Sequence, residues 1–84
     1  MVLVLARALH PAMDVRVRVG LNVAELRRSK GLTQEEVAHR AAVNQTYLSD
    51  IERGKRNPSL RVLDRVAQAL AADPVDLLRK RSPS

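Results

Sequence analysis

From Val19 onward the apolar side chains of this chain recur at helical spacing. Val19, Val23 and Leu26 fall at i, i+4 and i+7, one face of a helix that Gly31 is placed to end. Thr33 opens the run Thr-Gln-Glu-Glu. Thr as N-cap with Glu36 three residues on predicts a capping box, and Val37, Ala38 and Ala41 supply the inward face of the second helix. Asn44 caps a third helix that stops at Gly54, with Leu48 and Ile51 turned inward. Ser59 caps a fourth, whose apolar stripe is Leu60, Leu63, Val66, Ala67 and Leu70. Asp73-Pro74 starts a fifth, a cap followed by Pro at the first helical position, and Val75, Leu77 and Leu78 close the core from it. Arg79-Lys80-Arg81 and the Ser-Pro-Ser end read as a frayed basic tail. The pattern predicts an all-α domain of five helices joined by loops of a few residues.

The N-terminal stretch breaks this pattern. Met1 to Ala6 is an apolar run, and His10-Pro11 interrupts any helix begun there, because Pro disfavours helical geometry in the residue before it. Residues 14–19 alternate apolar and polar, which is the period of a half-buried strand and equally the lead-in to a helix. Met13 is a second place where translation can start. Residues 1–18 are therefore read as an extension (an arm, a short strand or a leader), 19–79 as the folded domain and 80–84 as a basic tail.

The 84 residues make one domain. A domain of this size buries only about two-thirds of its unfolded surface, which favours pairing with a second copy. One Tyr and no Phe or Trp leave the core to aliphatic side chains. Fifteen Lys and Arg against nine Asp and Glu give a formal charge of +6, which points to an anionic partner, nucleic acid first. Without Cys there is no disulfide, thiol nucleophile or thiolate metal site, and His10 and His39 lack ligand spacing. No metal or cofactor is expected, and no enzyme, since neither a phosphate loop nor a catalytic set is present. The apolar start is too short for a membrane span, so a cytoplasmic protein is expected.

Two short helices joined by a tight turn are the geometry that places a helix in the major groove. If Ala38, Leu48 and Ile51 hold the unit together, Gln45, Thr46, Ser49 and Asp50 face outward. Gln bonds adenine through two contacts, and Thr and Ser bond several base edges. Asp50 has three readings: an acceptor for cytosine, a partner for a neighbouring Arg, or a solvated charge. At helix starts the amides favour an anion, and Gln34 and Asn44 are placed to add a side-chain amide to a phosphate contact. Arg53, Lys55 and Arg56 follow the third helix as backbone clamps. Tyr47 is either a phosphate contact through its hydroxyl or partly buried packing.

Residues 20–78 resemble the phage-repressor and Cro family of helix-turn-helix regulators, the XRE family. The matching stretches are Leu26-Arg27, Gly31 to Ala38, Asn44 to Arg53 and Gly54 to Ser59. The resemblance implies a compact five-helix, lambda-repressor-like bundle with the helix-turn-helix at helices two and three. It implies a sequence-specific regulator of transcription that binds a palindromic double-stranded operator as a homodimer. The same fold also serves protein-interaction regulators such as antitoxins, anti-activators and accessory subunits. It assigns Gln34 to phosphate, and Gln45, Thr46, Ser49 and Asp50 to the base-reading positions. Arg27 and Glu52 match a pair that forms a buried salt bridge between helices one and three. One departure is Ala42, where the family usually has Gly at the turn; Ala in a left-handed conformation costs about 1 kcal/mol. A chain this short has no room for a ligand-binding domain, so no small-molecule effector is expected.

Overall fold

The computed structural model describes residues 13–81. Among the described residues the helices are α1 (Val15–Ser29), α2 (Gln34–Ala41), α3 (Gln45–Glu52), α4 (Leu60–Ala69) and α5 (Pro74–Leu78). All five begin on a side-chain cap. The Asp14, Thr33, Asn44, Ser59 and Asp73 oxygens accept from the backbone amides of Arg16, Glu36, Tyr47, Val62 and Val75 respectively. Each bond satisfies one of the amides that a helix start leaves without an intrahelical partner. At α2 the Glu36 carboxylate also reaches back to the Thr33 amide at 3.0 Å, completing the expected box.

The first four helices end on the same pair of backbone bonds. In α1 the Gly31 amide donates to Arg28 and the Leu32 amide to Arg27, both at 3.0 Å. The pairs Ala42/Val43, Gly54/Lys55 and Ala71/Ala72 repeat this at α2, α3 and α4. The motif needs a left-handed residue, and the four are Gly31, Ala42, Gly54 and Ala71, with φ of 67°, 58°, 74° and 53°. Ala42 thus adopts the left-handed turn that family members usually make with Gly. Ala71 does the same at the second turn, which has no counterpart among the sequence expectations.

Packing follows from the caps. Helix α1 lies against both α3 and α5, α2 lies against α3 and α4, and α4 lies against α5. Val23, Val37, Leu48, Ile51, Val66, Leu70 and Leu77 fill the centre. Gly20 lets α1 and α3 meet backbone to backbone: a Cβ there would fall 2.6 Å from the Glu52 carbonyl oxygen. That is too close for any side chain, so α1 approaches α3 only because position 20 has none.

Three expectations are corrected. Of the two readings of residues 14–19 the helical one holds, but the start moves: Asp14 caps a helix that begins at Val15, four residues earlier than Val19. Val15 and Val19 then share one helical face, and no strand lies among the described residues for a ladder to pair with. The part of the proposed arm in residues 1–12 lies outside the described residues. Leu60 does not join the α4 stripe; it stands 81% exposed at the helix start. Of the α5 trio only Leu77 enters the core, while Val75 and Leu78 remain 62% and 40% exposed. A helix of five residues has one inward position per turn, and Leu77 takes it.

Nor is the basic tail simply solvated. Asn22, buried on α1, donates to the carbonyls of Leu77 and Arg79, both at 2.9 Å. Its carbonyl oxygen accepts from the Arg81 guanidinium at 2.7 Å, and Arg81 also reaches Glu25. One amide thereby secures the C-terminal end of α5, where a helix exposes carbonyls without partners.

Candidate nucleic-acid interface

The α2–α3 pair is set by its two caps and the left-handed Ala42 between them. Ala38, Leu48 and Ile51 point into the core as expected. Gln45 and Thr46 are then exposed at the start of α3, and Ser49 and Asp50 are half-buried one turn on. Together with Gln34 from α2 and Arg53 after α3, they line one shallow groove of about 270 Å³. All four side chains predicted to read bases therefore share one rim.

The remaining predicted residues sit around it. Asn44 has its side-chain oxygen committed to the Tyr47 amide at 2.7 Å, while its NH2 group has no hydrogen-bond partner among the described residues. Tyr47 is half-buried against the core. Arg56 lies over its ring, 5.5 Å from the centroid, and bonds Asp50 at 3.3 Å. Lys55 and Arg53 are exposed. Groove and basic turn meet at Asp50, whose carboxylate belongs to both.

Behind the rim lies a polar brace. Arg27 of α1 grips Glu52 of α3 through two parallel bonds, Nε to Oε2 at 2.7 Å and Nη2 to Oε1 at 3.0 Å. The two side chains are only 13% and 6% exposed. The hydrogen bond to Glu52 pushes the Arg27 guanidinium further up from its ordinary range, so it stays charged. Its third nitrogen donates to the Leu32 carbonyl at 3.0 Å. Each nitrogen of the buried cation thus has a partner, which a buried charge requires. The pair implied by the family resemblance is present.

Glu52 has a second partner that sequence reasoning missed. Its Oε1 accepts from the Gln34 amide at 2.9 Å. The brace therefore also fixes the first residue of α2. Asn22 was missed as well, although the signal existed: an Asn beside Val19 and Val23 on the inward arc of a helix must find partners when buried.

The sequence profile of the helix-turn-helix family HTH_3 matches residues 23–77. A relative from Sinorhizobium fredii, the uncharacterized HTH-type transcriptional regulator y4dJ, is 54% identical over 66 residues, spanning 79% of this chain and 86% of that protein. The restriction-modification controller protein C.AhdI from Aeromonas hydrophila has a similar solved structure. It shows 39% identity and a TM-score of 0.72 over 74% of this chain and 94% of that one. The controller protein C.Esp1396I, solved as a tetramer in complex with its natural 35 base-pair operator, is 29% identical. It aligns with a TM-score of 0.71 over 79% of this chain and 87% of that one. With its profile match, its fold and its capped α2–α3 pair in agreement, the chain belongs to the HTH_3 helix-turn-helix family of XRE-type regulators.

Proposed function

We propose that this protein is a sequence-specific regulator of transcription that binds double-stranded operator DNA with α3 in the major groove. One observation carries the reading: Gln45, Thr46 and Ser49 share a single polar rim, with the core directly behind them and basic side chains at its edge. Gln45, Thr46 and Ser49 read base edges. Gln34, Asn44, Tyr47, Arg53, Lys55 and Arg56 hold the backbone and supply affinity and salt dependence. The operator complex of C.Esp1396I and the regulator relatives support this role.

The acting unit is a homodimer. Leu60, Leu78 and Val15 border one apolar groove together with Asn57 and Pro58. That groove lies next to Lys55 and Arg56 in the chain and is the face on which a second copy would seat. No helix among the described residues is long and apolar enough to cross a membrane.

Selection of bound duplexes from a random library tests the reading. The expected result is an inverted repeat bound at nanomolar protein, with affinity falling steeply with salt. The combined change Gln45→Ala with Thr46→Ala is expected to lose sequence discrimination, by about 1–3 kcal/mol per base contact removed. Equal binding by that variant and the wild type would refute the base-reading assignment.

A further inference from the structure

Asp50 presents a problem of sign. An anion on the rim of a DNA-reading groove repels phosphate, and among major-groove groups it can accept only from the amino groups of cytosine and adenine. Yet Asp50 does not face the groove as a free charge. Its Oδ2 accepts from Arg56 Nε at 3.3 Å, and its backbone carbonyl accepts from the Lys55 amide at 2.9 Å. Arg56 is held from a second side by the Tyr47 ring, 5.5 Å from its guanidinium carbon. Its Nε is engaged, and its two terminal nitrogens have no hydrogen-bond partner among the described residues. The side chain of Arg56 stays 53% exposed against 20% for Asp50. The carboxylate is thus the inner member of the pair and the guanidinium fork the outer one.

We propose that Asp50 is a positioning residue: together with Tyr47 it holds the Arg56 fork against the end of α3, aimed at a DNA phosphate. This rests on the DNA-binding reading above. A guanidinium clamped at Nε presents both terminal nitrogens in the planar geometry that phosphate accepts. Pre-ordering that long side chain removes part of the entropy that binding otherwise has to supply.

Three roles for Asp50 predict different results with the selected duplex and with copies changed at each base pair. Positioning predicts that Asp50→Ala weakens binding to every duplex alike, by about tenfold for one charge-assisted contact. The slope of log K against log salt should become shallower by about 0.9 per protomer, as for Arg56→Ala. Asp50→Asn, which keeps an acceptor for Nε, should recover most of the loss. In an Arg56→Ala background, Asp50→Ala should have less than about a twofold effect, because the residue acts through Arg56. Tighter binding by both Asp50 variants would mean that the carboxylate only repels DNA, and would overturn the proposal. A loss confined to one base-pair position would make Asp50 a base reader, and would overturn it equally. If the wild-type protein selects no duplex at all, the DNA-binding reading fails first and this proposal with it. The pair sits at the surface with its Arg56 half exposed and contributes little to folding, so these variants should remain folded.

Discussion

Two helix pairs, α2–α3 and α4–α5, hang on the same helix α1, and each is built the same way. A short turn passing through a left-handed alanine joins each pair, Ala42 in one and Ala71 in the other. A polar grip ties each pair to α1. The grips differ in chemistry. The first is a buried, doubly bonded ion pair, Arg27–Glu52, with Gln34 added. The second is a neutral amide, Asn22, that collects two carbonyls and an arginine. The outer faces differ as well: polar side chains line the rim of α2–α3, while Val75 and Leu78 stand exposed on α5. A bidentate ion pair fixes distance and angle together, which suits a helix that must meet base edges in register. An amide on carbonyls closes a helix end, which is all that α5 requires.

Breaking the charged grip should have the largest effect. Glu52→Ala leaves Arg27 buried without its anion and is expected to cost about 3 kcal/mol, read as a lower urea midpoint. An unchanged midpoint would show that the ion pair does not brace the fold. Replacing both residues, Arg27→Met with Glu52→Leu, should restore most of the stability, because apolar side chains of similar volume pack without a desolvation cost. That variant sharpens the comparison, since Gln34 would still lack its partner and DNA affinity should stay reduced.

The neutral grip comes next. Asn22→Ala removes the donor to the Leu77 and Arg79 carbonyls and should cost about 2 kcal/mol. The loss should be local. Amide hydrogen exchange is expected to speed up across α5 and the tail while α2 and α3 keep their protection. Equal loss of protection in both pairs would mean that the two grips form one unit and that the contrast between them is false.

How much of this was legible in the sequence divides along the same line. The α2–α3 pair announces itself, because its caps, its turn and its inward residues occupy fixed offsets within some twenty residues. Arg27–Glu52 was readable only by likeness to the family, since nothing local says that two charges 25 positions apart meet. Asn22 reads as an interruption of an apolar stripe, because its partners are backbone carbonyls more than fifty residues away, which no side-chain pattern encodes. The start of α1 was open for another reason. Alternating Val and Arg has the strand period, but Val15 and Val19 also satisfy i, i+4, and the Asp14 cap decides between them. Leu60 and Val75 looked like core because a stripe drawn on one helix does not say how far its neighbour extends.

The two turns offer a smaller test. Ala42→Gly and Ala71→Gly each relieve a left-handed alanine at the expense of a looser unfolded chain. Each is expected to gain about 0.5 kcal/mol, seen as a modest rise in melting temperature. The strain is local to each backbone position, so the double variant should gain about the sum. A gain at one turn alone would show that the pairs are not built alike after all.

Acid should produce the smallest effect, and it separates the pairs by their first turns. The Glu36 carboxyl is held below its ordinary range by the Thr33 amide. That of Asp76 is held low by Arg79 and then by the Asp73 amide. Both groups favour the charged form more in the folded state than in the unfolded one. Their contribution is therefore complete above the unfolded carboxylate range near pH 4, and is lost as the pH falls through the lower folded values. Both are exposed, so the change in global stability should be slight. The local consequence should still differ. Protonation weakens only the bond from the Thr33 amide at α2, whereas at α5 it weakens both the bond from the Asp73 amide and the ion pair of Asp76 with Arg79. Proton exchange at low pH should therefore open the first turn of α5 before that of α2, and the reverse order would show that the caps do not set the ends of these helices.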